Sequence, residues 1–66
     1  MTHLIEYAKS VIEKYPSLTS DVKDLVNLCI SEIEEGGSES HEIELCWSDI
    51  QSLVEEEEAR ILARNL

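Results

Sequence analysis

Residues 22–33, with the sequence VKDLVNLCISEI, decide the fold of this chain. Successive side chains of an α-helix turn by about 100°, and at that spacing the apolar ones in this stretch spread over roughly 200° of the helix surface. They are Val22, Leu25, Val26, Leu28, Cys29, Ile30 and Ile33. A helix that packs against one neighbour needs a narrower stripe. The stretch therefore predicts a helix, over about residues 18–35, that contacts other apolar surfaces on two sides.

Residues on either side of this helix carry the signals that begin and end helices. Gly36 and Gly37 supply the left-handed backbone conformation that commonly closes a helix. The candidate N-caps at its start are Ser17, Thr19 and Ser20. Pro16 precedes them and separates this helix from an earlier one, because proline cannot continue a helix and restricts the residue before it.

The earlier helix is predicted over about residues 3–15. Its apolar side chains fall within an arc of about 160°, which is typical of an amphipathic helix. They are Leu4, Ile5, Tyr7, Ala8, Val11, Ile12 and Tyr15. Thr2 is the predicted N-cap.

The segment after residue 40 allows two interpretations. As one helix over about residues 40–64, it places most of its apolar residues on one face but leaves Leu45 off that face and Glu57 inside it. As a strand at residues 42–47, the alternation of Ile43, Leu45 and Trp47 could pair only with its copy in a dimer. We expect the helix, and hence a single all-α, three-helix domain over residues 1–66 whose consecutive helices run antiparallel.

Glu57 is the residue that this helix explains least well, because a buried and unpaired carboxylate is costly. Two arrangements would relieve the cost. The third helix could project beyond the core, or Glu57 could meet Arg60 or Arg64. The spacing of Glu56 and Arg60 also predicts an i,i+4 ion pair on the helix surface.

Charge and length exclude several classes of protein. The chain has 66 residues and a net charge of −10, without the basic cluster that binds nucleic acid or anionic lipid. We therefore expect no direct nucleic-acid binding and no membrane binding. The first residues show no pattern typical of a signal peptide, which favours a cytoplasmic location. A core this small also favours self-association, most simply as a homodimer.

Acidic residues are concentrated in one part of the chain. Residues 24–59 contain twelve Asp or Glu and no Lys or Arg. Such a segment is typical of a solvated surface, of a surface that docks a basic protein, or of a nucleic-acid mimic. The residues predicted to bind a basic partner are Glu34, Glu35, Glu39, Glu42, Glu44, Glu55, Glu56 and Glu58.

Apolar residues at the flanks of the second helix indicate a possible subunit contact. Leu28 and Ile30 lie at the two edges of its apolar arc, so part of that arc is expected to remain for another chain. Trp47 is the one large aromatic anchor, and it either packs in the core or contributes to the same contact. The predicted self-association residues are therefore Leu28, Ile30 and Trp47.

Metal binding and catalysis are not expected from the motifs. His3, His41, Cys29 and Cys46 are residue types that bind zinc, but no two of them have the i,i+3 or i,i+4 spacing of ligands on one helical face. Both cysteines project with apolar residues and are interpreted as small core residues. A metal-binding domain remains the least favoured alternative. No catalytic motif occurs, so neither enzyme activity nor a cofactor is expected.

These observations together favour a noncatalytic acidic interaction module, a small regulator or inhibitor that docks a basic surface of a larger protein and self-associates. A mimic of nucleic acid that occupies a DNA- or RNA-binding protein is the alternative. By analogy alone, chains of this size and charge suit factors encoded by phages or mobile elements.

Overall fold

The computed structural model describes residues 1–66, which form three α-helices and no strand. The first helix, α1, spans Thr2–Lys14, the second, α2, spans Thr19–Glu34, and the third, α3, spans Glu39–Arg64. A 3₁₀ turn at Pro16–Leu18 joins α1 to α2. The predicted all-α, three-helix class is confirmed. The alternative with a strand at residues 42–47 is wrong, because those residues lie inside α3.

Backbone geometry separates α1 from α2 without help from side-chain caps. Tyr15 leaves the helical conformation, with φ −127° and ψ 76°, because the following Pro16 disfavours it there. Met1 and Leu18 occupy the N-cap positions of the two helices, and no side chain caps either one. The predicted N-caps are therefore wrong, namely Thr2, Ser17, Thr19 and Ser20. Thr19, for example, donates its hydroxyl to the Pro16 carbonyl at 2.7 Å.

Two glycines close α2. Gly36 has a φ of 103°, the left-handed conformation that its sequence position predicts. The Gly36 N–H donates to the Ile33 carbonyl at 3.1 Å, and the Gly37 N–H donates to the Glu32 carbonyl at 2.8 Å. This pair of bonds is the Schellman arrangement, and it turns the chain from α2 into α3.

The order of contacts along the helices defines an up–down–up topology. Tyr7 of α1 contacts Trp47 of α3, and Tyr15, directly after α1, contacts Glu58 of α3, so α1 and α3 run in parallel. Successive residues of α2 meet successively earlier residues of α3, so these two helices run antiparallel. The middle helix α2 packs against both of the others, as the width of its apolar arc predicts.

The core lies where the three helices meet. Leu4 of α1, Val22 of α2 and Ile50 of α3 are its most deeply buried side chains, and each comes from a different helix. The complete buried apolar cluster consists of Leu4, Ala8, Val11, Tyr15, Leu18, Val22, Cys29, Cys46 and Ile50. Burying one large aliphatic side chain stabilises a fold by about 1.5–3 kcal/mol. A cluster of this size therefore leaves the fold only marginally stable.

The end of α3 extends beyond this core. A helix of 26 residues is about 39 Å long, and the longest dimension of the molecule is 46 Å. Ile61 and Leu62, near its end, are 38% and 66% exposed. None of the three helices is long and apolar enough to span a membrane.

Ile50 and Leu45 offer a direct comparison of buried and exposed apolar residues on α3. We expect Ile50→Ala to lower the free energy of unfolding by about 2–5 kcal/mol, because it leaves a cavity at the centre of the core. Leu45→Ala should lower it by about 1 kcal/mol or less, because Leu45 is 48% exposed. Urea unfolding followed by circular dichroism measures both. Equal losses would contradict the observed burial.

Candidate docking groove

A shallow groove runs between α2 and α3. It consists of two adjoining depressions of about 330 Å³ and 370 Å³ that share Leu25 and Leu28. Leu45 and Leu53 of α3 complete its apolar lining, and α1 contributes no side chain. We call this surface the α2–α3 groove. Leu28 is 56% exposed and Leu45 is 48% exposed, so the groove presents substantial apolar surface to solvent.

Carboxylates surround the leucines of the α2–α3 groove, and no Lys or Arg side chain lines it. The acidic residues of the two depressions are Asp21, Asp24, Glu32, Glu42 and Asp49. Four of them are exposed and Glu42 is half-buried. The groove therefore combines apolar side chains with adjacent carboxylates, which we call its acidic rim, and it is complementary to a partner surface that carries both apolar and cationic groups.

Cys29 of α2 and Cys46 of α3 form the floor of the α2–α3 groove. Both are free thiols and are buried at 3% and 4% exposure, so they belong to the core as well. Burial raises the pKa of Cys29, and the nearby Glu42 raises it further. Burial, with the neighbouring Cys29 and Asp49, raises the pKa of Cys46 to about 11. Both thiols are therefore protonated at neutral pH, which makes them poor nucleophiles and poor metal ligands.

Glu57 of α3 lies past the end of the groove and is the one buried acidic residue, at 7% exposure. Arg60 donates to its Oε2 from Nη2 at 2.9 Å and from Nε at 3.3 Å, and Arg64 Nη2 donates to its Oε1 at 3.2 Å. The hydrogen bonds from Arg60 lower the pKa of Glu57 against the opposing effect of burial. Both arginines therefore keep this carboxylate charged although it is buried.

This arrangement corrects one predicted ion pair and resolves the position of Glu57. Arg60 binds Glu57 and not Glu56, because the Glu57 carboxylate is the buried one and needs donors, whereas Glu56 is exposed to water. Of the two arrangements considered for Glu57, the second occurs. Glu57 is buried, so the helix does not leave the core at this residue, and both arginines reach back to the carboxylate.

The residues predicted for self-association do not form one surface. Leu28 lies in the α2–α3 groove, whereas Ile30, two positions later on the helix, lies on the opposite flank of α2 and is half-buried. Trp47 stacks on Tyr7 of α1 with 4.4 Å between ring centroids and an angle of 4° between the rings. Such a contact is worth about 0.5–1.5 kcal/mol beyond area burial, so Trp47 joins α1 to α3. Burial also raises the pKa of Tyr7.

The structure also separates the eight acidic residues predicted to bind a partner. Glu42 is the one that lines the α2–α3 groove. Glu58 accepts a hydrogen bond from the Tyr15 hydroxyl at 3.0 Å. The others are exposed outside the groove, namely Glu34, Glu35, Glu39, Glu44, Glu55 and Glu56. They contribute to the overall negative field and not to the rim of one site.

Most of the rim was not predicted from the sequence. The rim residues outside the predicted set are Asp21, Asp24, Glu32 and Asp49. A usable signal is present in the sequence, because i,i+4 spacing places Asp24 beside Leu28, and Asp49 beside Leu45 and Leu53. Runs of consecutive acidic residues are a poorer guide to one surface, because consecutive residues of a helix point in different directions.

No group of three or more His, Cys, Asp or Glu side chains is arranged to hold a metal ion. His3 and His41 are both exposed, and the side chain of His3 is 4.0 Å from Glu6. The two cysteines lie in the core. The four residues of zinc-binding type are therefore not brought together.

No protein-family model, no curated protein and no solved structure matches this chain. Function is therefore inferred from the residues and geometry of the chain itself.

The thiols of the groove floor should react slowly in the folded protein. At pH 8, we expect alkylation of Cys46 by iodoacetamide to be about a hundredfold slower than in the urea-unfolded chain, and that of Cys29 to be slower as well, because the folded state holds less thiolate and covers the sulfur atoms. Mass spectrometry of timed samples measures the rates. Similar rates in the folded and unfolded chains would contradict the raised pKa of these residues.

Glu57 should make the stability of the domain depend on pH in the acidic range. Its pKa is lowered on folding, so its stabilising effect is present above its unfolded pKa and is lost as pH falls through the folded value. We expect Glu57→Gln to lower the melting temperature at pH 7, with a smaller difference from the unsubstituted chain below about pH 4.

Glu56→Gln is the matched control, because it removes one exposed carboxylate next to Glu57. Thermal unfolding of both variants across the pH range separates the effect of the ion pairs from the change in net charge. If the two variants melted alike at pH 7, the arginine contacts of Glu57 would have no stabilising role.

Proposed function

We propose that this protein is a noncatalytic interaction module, a small regulator or inhibitor that docks a basic surface of a larger protein. The observation that carries this proposal is the acidic rim of the α2–α3 groove, which surrounds exposed leucines and contains no cation. The twelve acidic residues of residues 24–59 extend the same negative field over most of α2 and α3. A field of one sign speeds the encounter with a surface of the opposite sign and disfavours acidic partners.

The positions of the cations support the same function. Lys9 and Lys14 lie on α1, and Lys23 lies near the start of α2. The remaining two, Arg60 and Arg64, bind Glu57 at the far end of α3. No Lys or Arg side chain lines the rim. Its carboxylates can therefore bind a basic surface without first breaking an ion pair within the chain.

The ionisable groups with shifted pKa values support a noncatalytic role. The pKa values of Cys29 and Cys46 are raised, which lowers the thiolate population at neutral pH. The pKa of Glu57 is lowered, and two arginines occupy its oxygens. Each shift makes the group less suited to nucleophilic or general acid–base work at neutral pH.

Two further features remain predictions. The homodimer is tested by sedimentation of the purified chain at several concentrations. Mimicry of nucleic acid is tested by asking whether duplex DNA competes for a captured partner. The exposed acidic residues of α3 point around its circumference, as Glu39, Glu44 and Glu56 do, and this gives mimicry less support, because a duplex presents its phosphates in two rows.

Affinity purification from a lysate with two matched double variants tests the proposed function. Glu42→Gln with Asp49→Asn removes two rim charges, whereas Glu6→Gln with Glu13→Gln removes the same charge from α1. We expect the unsubstituted chain and the α1 variant to retain the same basic protein, and the rim variant to retain several-fold less of it.

The salt dependence of capture completes this test. Retention should fall steeply between about 0.1 M and 1 M salt, over which the Debye length shrinks from about 10 Å to about 3 Å. Quantitative mass spectrometry of the eluted fractions gives the readout. Capture that is insensitive to salt, or equal loss in the two double variants, would count against docking of a basic surface at the rim.

A further inference from the structure

We infer that the α2–α3 groove binds one basic amphipathic helix of the partner protein. This inference rests on the proposed function and specifies the element that the groove recognises. Three properties of the groove carry it, namely its exposed leucines, the sign of its rim, and the poor match that a second copy of the chain would make.

The leucines define a seam for a helix. Leu28 and Leu45, from opposite sides of the groove, are each about half exposed, and Leu25 and Leu53 continue the apolar lining between them. From Asp21 to Glu32 the groove follows α2 for about 17 Å, which equals about three turns of helix. An amphipathic helix of that length places apolar residues at i, i+3, i+4 and i+7 along one side, and these can occupy a seam between two helices.

The rim determines the charge of the bound helix. Asp21, Asp24 and Glu32 lie along the α2 side, and Glu42 and Asp49 lie along the α3 side. A helix in the seam therefore meets carboxylates from both α2 and α3. Lys and Arg suit such a surface, because their aliphatic stems cover apolar groups while their charged ends reach the carboxylates.

The depression between α1 and α2 has the opposite character. It has a volume of about 250 Å³, is lined by Lys9 and Lys23, and contains no carboxylate. A basic amphipathic helix would meet like charges there. The sign of the rim thus distinguishes the α2–α3 groove from the other apolar depression on α2.

A second copy of the chain is a poorer occupant of the groove. Apposing two identical grooves would set five carboxylates against five others, and like charges across an interface disfavour association. The end of α3 carries exposed Ile61 and Leu62, but its two arginines already bind Glu57. Occupation of the groove by that segment would weaken contacts that stabilise the chain itself.

Two fluorescent synthetic peptides test the inference. Both contain about 14 residues of leucine and lysine in identical proportion. One has leucine at helical spacing along a single face, and the other is a permutation without such a face. Fluorescence anisotropy with the full chain should give about tenfold tighter binding of the patterned peptide, because only that peptide presents an apolar face to the groove.

Matched variants locate the site of binding. Leu28→Asn and Leu45→Asn should each weaken binding of the patterned peptide about tenfold or more. Leu62→Asn, at a leucine on the end of α3 that is 66% exposed, should leave binding unchanged. Glu42→Gln with Asp49→Asn should reduce binding and its salt dependence more than Glu44→Gln with Glu55→Gln. Circular dichroism of each variant checks that the fold is retained.

Three other outcomes would overturn the inference, and they differ in what they imply for the proposed function. Equal binding of the two peptides would refute recognition of a helix face and leave docking of a basic surface intact. Binding of neither peptide would refute the inference, and the affinity purification would then decide the proposed function separately. Sedimentation of the chain alone as a dimer that Leu28→Asn dissociates would assign the groove to a second copy.

Discussion

The structure depends on the need of α2 to bury apolar side chains in two directions. Val22 and Cys29 are buried along its centre, while Val26 faces the α1 side and Leu25 faces the α3 side. Neither neighbour alone could cover this surface, so α1 and α3 must both pack against the middle helix. The short 3₁₀ turn and the glycine turn at Gly36 bring them there in sequence order. Leu28 is the part of the arc that neither neighbour covers, and it opens the α2–α3 groove.

Charged residues differ between the part of α3 that lies along the core and the part near its end. Along the core, α3 buries Cys46 and Ile50 and carries acidic residues toward water. At Glu57 the buried face meets a carboxylate, which stays charged because Arg60 and Arg64 donate to both of its oxygens. The two cations that follow the acidic segment, Arg60 and Arg64, are thereby committed to an internal contact. The negative charge of the α2–α3 groove consequently remains available to a cation of another molecule.

The proposed function in binding is compatible with a small, marginal core. A domain of 66 residues has a small interior, but its surface can offer a seam between helices. In the proposed function, the leucines of the seam would supply affinity through apolar burial, and the carboxylates of the rim would supply orientation and the choice of partner. The two buried thiols beneath it contribute to packing, because their raised pKa values keep them protonated.

Local periodicity and turn chemistry were sufficient to predict the class of fold. The wide apolar arc of residues 22–33, the break at Pro16 and the stop at Gly36 are all properties of neighbouring residues, and all three act as predicted. Helix starts were predicted less well, since Leu18 and Met1 precede the helices where Thr2, Ser17, Thr19 or Ser20 was expected to cap them. The choice between helix and strand at residues 42–47 was also open locally, because the apolar pattern there fits both periods.

The candidate site needed tertiary structure. Sequence alone established that the chain is strongly acidic and that residues 24–59 contain no base, because charge is a sum over residues. It could not establish which carboxylates share a surface with exposed leucines, because Asp24 and Asp49 belong to different helices and meet only when α2 and α3 pack together. Packing likewise placed Trp47 on Tyr7, and gave Glu57 two arginine partners. Composition thus determined the sign of the surface, and helix packing decided which residues form a site, since contacts between distant segments exist only in the folded chain.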